Sequence, residues 1–306
     1  MKNFINGYFI YKENRNNKTV SEAYAMLYDV LTENNKKQHI INSLFKLCIH
    51  SNKLYNCPCP YIIKMVNKNI HTIDCRNTQH FLWCVKAFYQ HFKFTNDIKY
   101  YNIAKTIIDY VCENHCYKNT KVFINCFKTN NDNKVSIKAL TCADMLIIFG
   151  KEQYLNANIN FYKEKMFNKE TSLFSSYYDL DNEKCVKTEN TYLHENLELA
   201  EGLFNCYELN KNKEFYNIAV NIVKSCSNLI NNNVNNLARL QCYYWMKKYN
   251  ISENIDLVKS EVLKITETYK KENYISPYSN KKLDNIFGYI YLQRIQNEYG
   301  NDLTIF

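Results

Sequence analysis

Residues 79–94, QHFLWCVKAFYQHFKF, and residues 100–112, YYNIAKTIIDYVC, decide how this chain is read. In the first, Phe81, Leu82, Val85, Phe88, Tyr89 and Phe92 fall at three- and four-residue steps, which makes one broad apolar face on an α-helix. In the second, Tyr100, Ile103, Ala104, Ile107, Ile108 and Val111 repeat the pattern. Between them, Thr95-Asn96-Asp97 supplies a capping side chain for the second helix. The spacing predicts a helical hairpin.

The hairpin recurs. Tyr101-Asn102-Ile103-Ala104 returns 115 residues later as Tyr216-Asn217-Ile218-Ala219. At the same offset Ala87 matches Gly202, Phe88 matches Leu203 and Phe92 matches Tyr207, so the preceding helix is repeated as well. A third copy of the second helix reads at Tyr154-Leu155-Asn156-Ala157, and a weaker one from Ile255 to Val262. Small residues at fixed places let packed hairpins approach closely, and their recurrence means that one unit is reused. Further helices are expected over 21–33, 38–50, 137–149, 157–166, 191–209, 237–249 and 284–298, with polar loops over 128–134, 179–190 and 231–236. The expectation is an all-α, single-domain (α/α) toroid over residues 1–306, of five to six helical hairpins.

Composition agrees. Of 306 residues, 46% are hydrophobic and 15% aromatic, enough apolar area for a folded interior. Only 5 Gly and 3 Pro are present, too few for the turns of a β-sandwich, and no phosphate-binding glycine loop occurs. The net charge of +9 is spread along the chain without a basic stripe, so nucleic acid is not an expected partner. The first residues carry no apolar run of signal-peptide length, and no stretch approaches the ~18 uncharged apolar residues of a membrane span. A cytoplasmic protein is expected, with its 13 Cys as reduced thiols. Cys57-Pro58-Cys59 and Cys112-Glu113-Asn114-His115-Cys116 lack the pair spacing of a zinc site, so neither metal nor cofactor is expected.

Residues 95–111 (TNDIKYYNIAKTIIDYV) and 210–226 (NKNKEFYNIAVNIVKSC) resemble the second helices of six-hairpin glycosidase-like α/α toroids. Residues 74–89 (DCRNTQHFLWCVKAFY) and 194–209 (HENLELAEGLFNCYEL) resemble the matching inner helices. That superfamily holds glycoside hydrolases, polysaccharide lyases, sugar epimerases and non-enzymatic relatives. The resemblance therefore implies a carbohydrate-active enzyme, first of all a glycoside hydrolase with paired carboxylates in a central funnel. A sugar epimerase and a non-catalytic scaffold that binds a protein or glycan are the alternatives. Residues 19–26 (TVSEAYAM) are similar to the TVSEGQ-x-YGM signature of family 8 glycoside hydrolases, without its Gly-Gln pair. In that family the Glu opens an inner helix as general acid, which points to Glu22 here, with Tyr24 beside it.

Glycosidic cleavage uses one protonated and one ionised carboxyl. Glu22 is the expected acid, although Ser21 before it also makes it an ordinary first-turn residue of a capped helix. Asp74 is a possible partner, with Arg76 holding it ionised or gripping an acidic sugar; a surface turn with a local ion pair reads equally from the same residues. Asp144 sits in an apolar helix, where a carboxylate faces the funnel or pairs with a neighbour. His194, Glu195 and Asn196 crowd the head of an inner helix, as a proton shuttle with sugar contacts or as a capped first turn. Trp83 is a candidate sugar platform or a core residue. Epimerisation would need His194 with His71 or His80 as proton-transfer bases.

Overall fold

In the computed structural model the described residues are 4–5, 8–9, 11–13, 16–59, 62–66, 69–73, 77–127, 130–186, 192–231, 234–272 and 286–303. Among them eleven α-helices follow one another as α1 (Ser21–Val30), α2 (Asn34–Tyr55), α3 (Thr78–Thr95), α4 (Ile98–Asn114), α5 (Asp144–Ile148), α6 (Glu152–Phe161), α7 (Tyr192–Asn210), α8 (Lys213–Leu229), α9 (Asn236–Lys248), α10 (Ile255–Glu272) and α11 (Ile286–Leu303). A 3-10 turn, Ile137–Leu140, leads into α5, and a π-helical turn, Tyr162–Met166, extends α6.

The odd-numbered helices form an inner ring. Each packs against the next, from α1 to α3, then the 137–140 turn and α5, then α7, α9 and α11, and α11 returns to α1. The even-numbered helices lie outside, α2 against α1 and α3, α4 against α3, α6 against α5, α8 against α7 and α10 against α9. Five hairpins and a sixth inner helix thus close a toroid.

The two repeated hairpins share their turn chemistry. Asn96 and Lys211 both end an inner helix in the left-handed region, at φ 56° and 55°. Asp97 and Asn212 then cap the following helices, accepting from the Lys99 and Glu214 amides at 3.0 and 2.9 Å. Ala104 and Ala219, the small residues of the repeated tetrapeptide, are both fully buried. The small residue of the inner helix is used too. A Cβ on Gly202 would lie 1.8 Å from the Leu140 carbonyl oxygen, so only glycine lets α7 cross the 137–140 turn at this distance.

The connections differ from the expected plain loops. Tyr11–Glu13, Asn16–Val20, Ile62–Val66 and Asn69–Ile73 form one antiparallel sheet. Asn125–Phe127, Asn130–Ser136, Tyr177–Asp179 and Lys184–Val186 form another. Segments 128–134 and 179–190, which read as loops, therefore contribute strands. Backbone pairing across these long inner-helix connections satisfies amides that a plain loop would leave to water. Both sheets precede inner helices in the chain, at the ring's inner-helix N-terminal end.

Candidate functional site

An inner helix of a closed ring has apolar neighbours on three sides and the ring axis on the fourth. Along α7 the axis-facing line carries His194, Glu198, Glu201 and Asn205, at helical steps of four, three and four. The ring brings partners from the other inner helices to this seam at two levels.

The upper level lies near the inner-helix N-termini. Glu198 is its centre and is 3% exposed. Its Oε2 accepts from Gln79 Nε2 of α3 at 3.2 Å and lies 3.3 Å from Lys138 Nζ of the 3-10 turn. Its Oε1 lies 3.3 Å from His194 Nε2. His194 Nδ1 is 2.8 Å from Gln241 Oε1 of α9, which can only accept, so that nitrogen carries the hydrogen. Nε2 then has a lone pair directed at Glu198.

Burial, with Glu195 and Glu201 adding repulsion, pushes the Glu198 carboxyl up to about 7 against the pull of Lys138. Burial and the Lys138 charge hold His194 down at about 4. Both directions favour a protonated carboxyl beside a neutral imidazole. His80, also buried, is held neutral by desolvation and by Lys138. Tyr177, on the second sheet, is raised first by burial and then by Glu195, which sets this strand beside the cluster.

The lower level lies toward the inner-helix C-termini. Arg294 of α11 bridges Asp29 Oδ2 of α1 at 2.7 Å and Glu201 Oε1 at 2.9 Å. Tyr291 donates to the other Glu201 oxygen, and Gln90 donates to Asp29 Oδ1 at 2.8 Å. Lys86 pairs with Asp144 at 3.3 Å. Burial raises Asp29, but Arg294, Lys86 and the two hydrogen bonds outweigh it and hold the carboxyl at about 2. Burial raises Asp144, with Lys86 opposing. Asp29, Lys86, Gln90, Glu201 and Arg294, with Asn205, Tyr244, Lys248 and Glu298, line a polar cleft of about 330 Å³.

The residues singled out from sequence are distributed as follows. Asp74 and Arg76 lie outside the described residues. Glu22 and Tyr24 belong to the first turn of α1 and His71 to a strand, but their side chains lie outside the described residues. Asp144 opens α5 at the lower level, buried and committed to Lys86. Trp83 is 1% exposed in the wall of α3, with the Lys86 ammonium 5.5 Å from its ring centre. Asn196 spends its amide on backbone: it accepts from Phe174 N and donates to Phe174 O, both at 2.9 Å, and to Tyr192 O at 3.0 Å. It ties strand 173–174 to α7. Glu195 is buried at the upper level.

Of the expected residues, His194 is thus paired with Glu198 and Glu195 is buried beside them. Glu198, Lys138, Gln79 and Gln241 were not anticipated. Their signal was the polar seam itself, charged and amide residues at three- and four-residue steps in an otherwise apolar inner helix. Among the described residues no group of three or more His, Cys, Asp or Glu is arranged to hold a metal ion. Nor is any described helix long and apolar enough to cross a membrane.

No protein-family model and no curated protein sequence matches the chain. Solved structures do. Cellobiose 2-epimerase from Bacillus thermoamylovorans superposes with a TM-score of 0.70 at 11% identity, covering 97% of this chain and 94% of that one. A GH76 α-mannanase from Bacteroides thetaiotaomicron gives 0.66 at 11% identity, over 96% and 93%. The GH76A α-1,6-mannanase of Salegentibacter sp. gives 0.66 at 12%, over 97% and 94%, and an inactive variant of it has been solved with α-1,6-mannotriose. Near-complete coverage in both directions matches the closed ring of inner helices described above. The chain has the fold of the six-hairpin glycosidase-like α/α toroids.

Proposed function

We propose that the chain is a carbohydrate-active enzyme, a glycoside hydrolase working at the inner-helix N-terminal end of the toroid as one domain. The observation that carries this reading is Glu198, a buried carboxyl that keeps its proton near neutral pH. A group poised there can protonate a leaving glycosidic oxygen without a strongly acidic medium. Glu198 takes the acid role that the sequence suggested for Glu22. Asp144 is engaged with Lys86, so the ionised partner is Glu22 or Asp74, which open or precede inner helices α1 and α3. Oligosaccharides are the substrate class, and the α-mannanases of the same fold make α-mannosides the first to test.

Epimerisation is the second reading, and one observation favours it: His80 and His194 are both held as neutral imidazoles near Lys138, which suits bases that take and return a proton. One assay separates the two. Wild type and Glu198→Gln are incubated in deuterated water with α-1,6-mannotriose, cellobiose and a wider oligosaccharide panel. Hydrolysis releases new reducing ends without carbon-bound deuterium, and the variant is expected to lose at least about 100-fold. Carbon-bound deuterium without cleavage would replace the hydrolase with the epimerase. Equal turnover by the variant would reject Glu198 as the acid, and no turnover of any sugar would reject the enzyme.

A further inference from the structure

Away from the ring axis, four cysteines converge where α2 meets α3. Cys48 lies on α2, Cys57 and Cys59 follow its end, and Cys84 lies on α3. All four are buried. Cys59 Sγ lies 3.2 Å from Cys84 Sγ, and Cys57 Sγ lies 3.2 Å from the Cys59 carbonyl oxygen. Thiols scattered as small core hydrophobes do not need sulfur-to-sulfur contact. This pair is close enough for a bond to form with a shift of about 1 Å. The pair itself is buried, and the nearest opening reaches only its neighbours. A groove of about 570 Å³ between α2 and α4 is lined by Cys48 of the cluster and by Pro58, the residue between Cys57 and Cys59.

We propose that Cys59 and Cys84 are an oxidation site that closes to a disulfide, tying the segment after α2 to inner helix α3. A peroxide is the oxidant. Cys59 Sγ attacks one peroxide oxygen, the O–O bond breaks, and one water leaves, giving a sulfenic acid. Cys84 Sγ attacks that sulfur and a second water leaves. The two thiols thus lose two electrons and two protons, and the peroxide becomes two waters. Burial pushes the Cys59 thiol well above its ordinary range, and the Cys48 thiol adds to the rise. The reaction is therefore slow at neutral pH and faster as pH rises.

The test uses the full chain carrying Cys185→Ser, which removes the one exposed thiol among the described residues and leaves twelve of the thirteen cysteines. The folded protein is treated with hydrogen peroxide, then denatured, alkylated and mapped by mass spectrometry. The titre is expected to fall from twelve thiols to ten, with Cys59 and Cys84 peptides cross-linked. The apparent Tm should rise by about 5 °C and fall back after dithiothreitol. Adding Cys84→Ala, or separately Cys59→Ser, should abolish the cross-link while the circular dichroism stays native. An unchanged titre, a disulfide joining any other pair, or a cross-link that survives Cys84→Ala would overturn the assignment.

Discussion

Replacing Arg294 by methionine removes the cation that joins α11 to α1 and α7 while keeping a long apolar stem. In the native ring the guanidinium holds Asp29 at 2.7 Å and Glu201 at 2.9 Å. Asp29 sits at about 2 instead of 3.8, which corresponds to about 2 kcal/mol favouring the ionised folded form. Removing one partner of a buried charge cluster costs about 3–5 kcal/mol, because the remaining charges stay desolvated. The Asp29 side chain is 26% exposed and water screens part of that loss, so we expect about 3 kcal/mol at neutral pH.

The sign of the pH dependence follows. A depressed carboxyl contributes stability that is complete above its unfolded pKa, near 4, and is lost as pH falls toward 2. The difference between wild type and Arg294→Met should therefore be full at about pH 7 and shrink below about pH 4. Urea unfolding followed by circular dichroism at about pH 7 and about pH 3 measures it. A loss under about 1 kcal/mol at pH 7, or the same loss at both pH values, would refute the reasoning that ring closure depends on this bridge.

Two further outcomes are expected. Gly202→Ala forces a Cβ toward the Leu140 carbonyl and should destabilise the fold by about 3 kcal/mol; a change below about 1 kcal/mol in urea titration would mean that α7 and the 137–140 turn do not meet this closely. Glu198→Gln should become more stable relative to wild type as pH rises from about 4 to about 8, by up to about 3 kcal/mol. A carboxyl raised to about 7 costs folding stability once the unfolded chain has released that proton. In wild type the depressed His194 works in the opposite direction over nearly the same window. A variant that tracks wild type at every pH would remove the proton from Glu198.

The architecture was legible because outer helices such as α4 and α8 show solvent on one side and repeat the same apolar spacing. Tyr101 to Ala104 and Tyr216 to Ala219 even kept their caps, Asp97 and Asn212. Inner helices are harder. They are covered all round, so α9 is almost wholly buried, and Gln241 and Tyr244 look like arbitrary members of a mixed run. The strands escaped because Asn130–Ser136 and Asn16–Val20 are rich in Asn and Lys and short of the branched residues that mark strands. The site was half legible. His194 was visible as a polar group at a helix start, whereas Glu198 acquires its meaning only when Gln79 and Lys138 arrive from elements 119 and 60 residues away.

The protonation of Glu198 can be observed directly. Difference infrared spectra of wild type against Glu198→Gln, collected from about pH 5 to about pH 9, isolate the carbonyl stretch of one protonated carboxyl. The band should persist to neutrality and titrate away with a midpoint near 7. If it is already gone at about pH 5, Glu198 is an ordinary carboxylate and cannot be the proton donor proposed for the site.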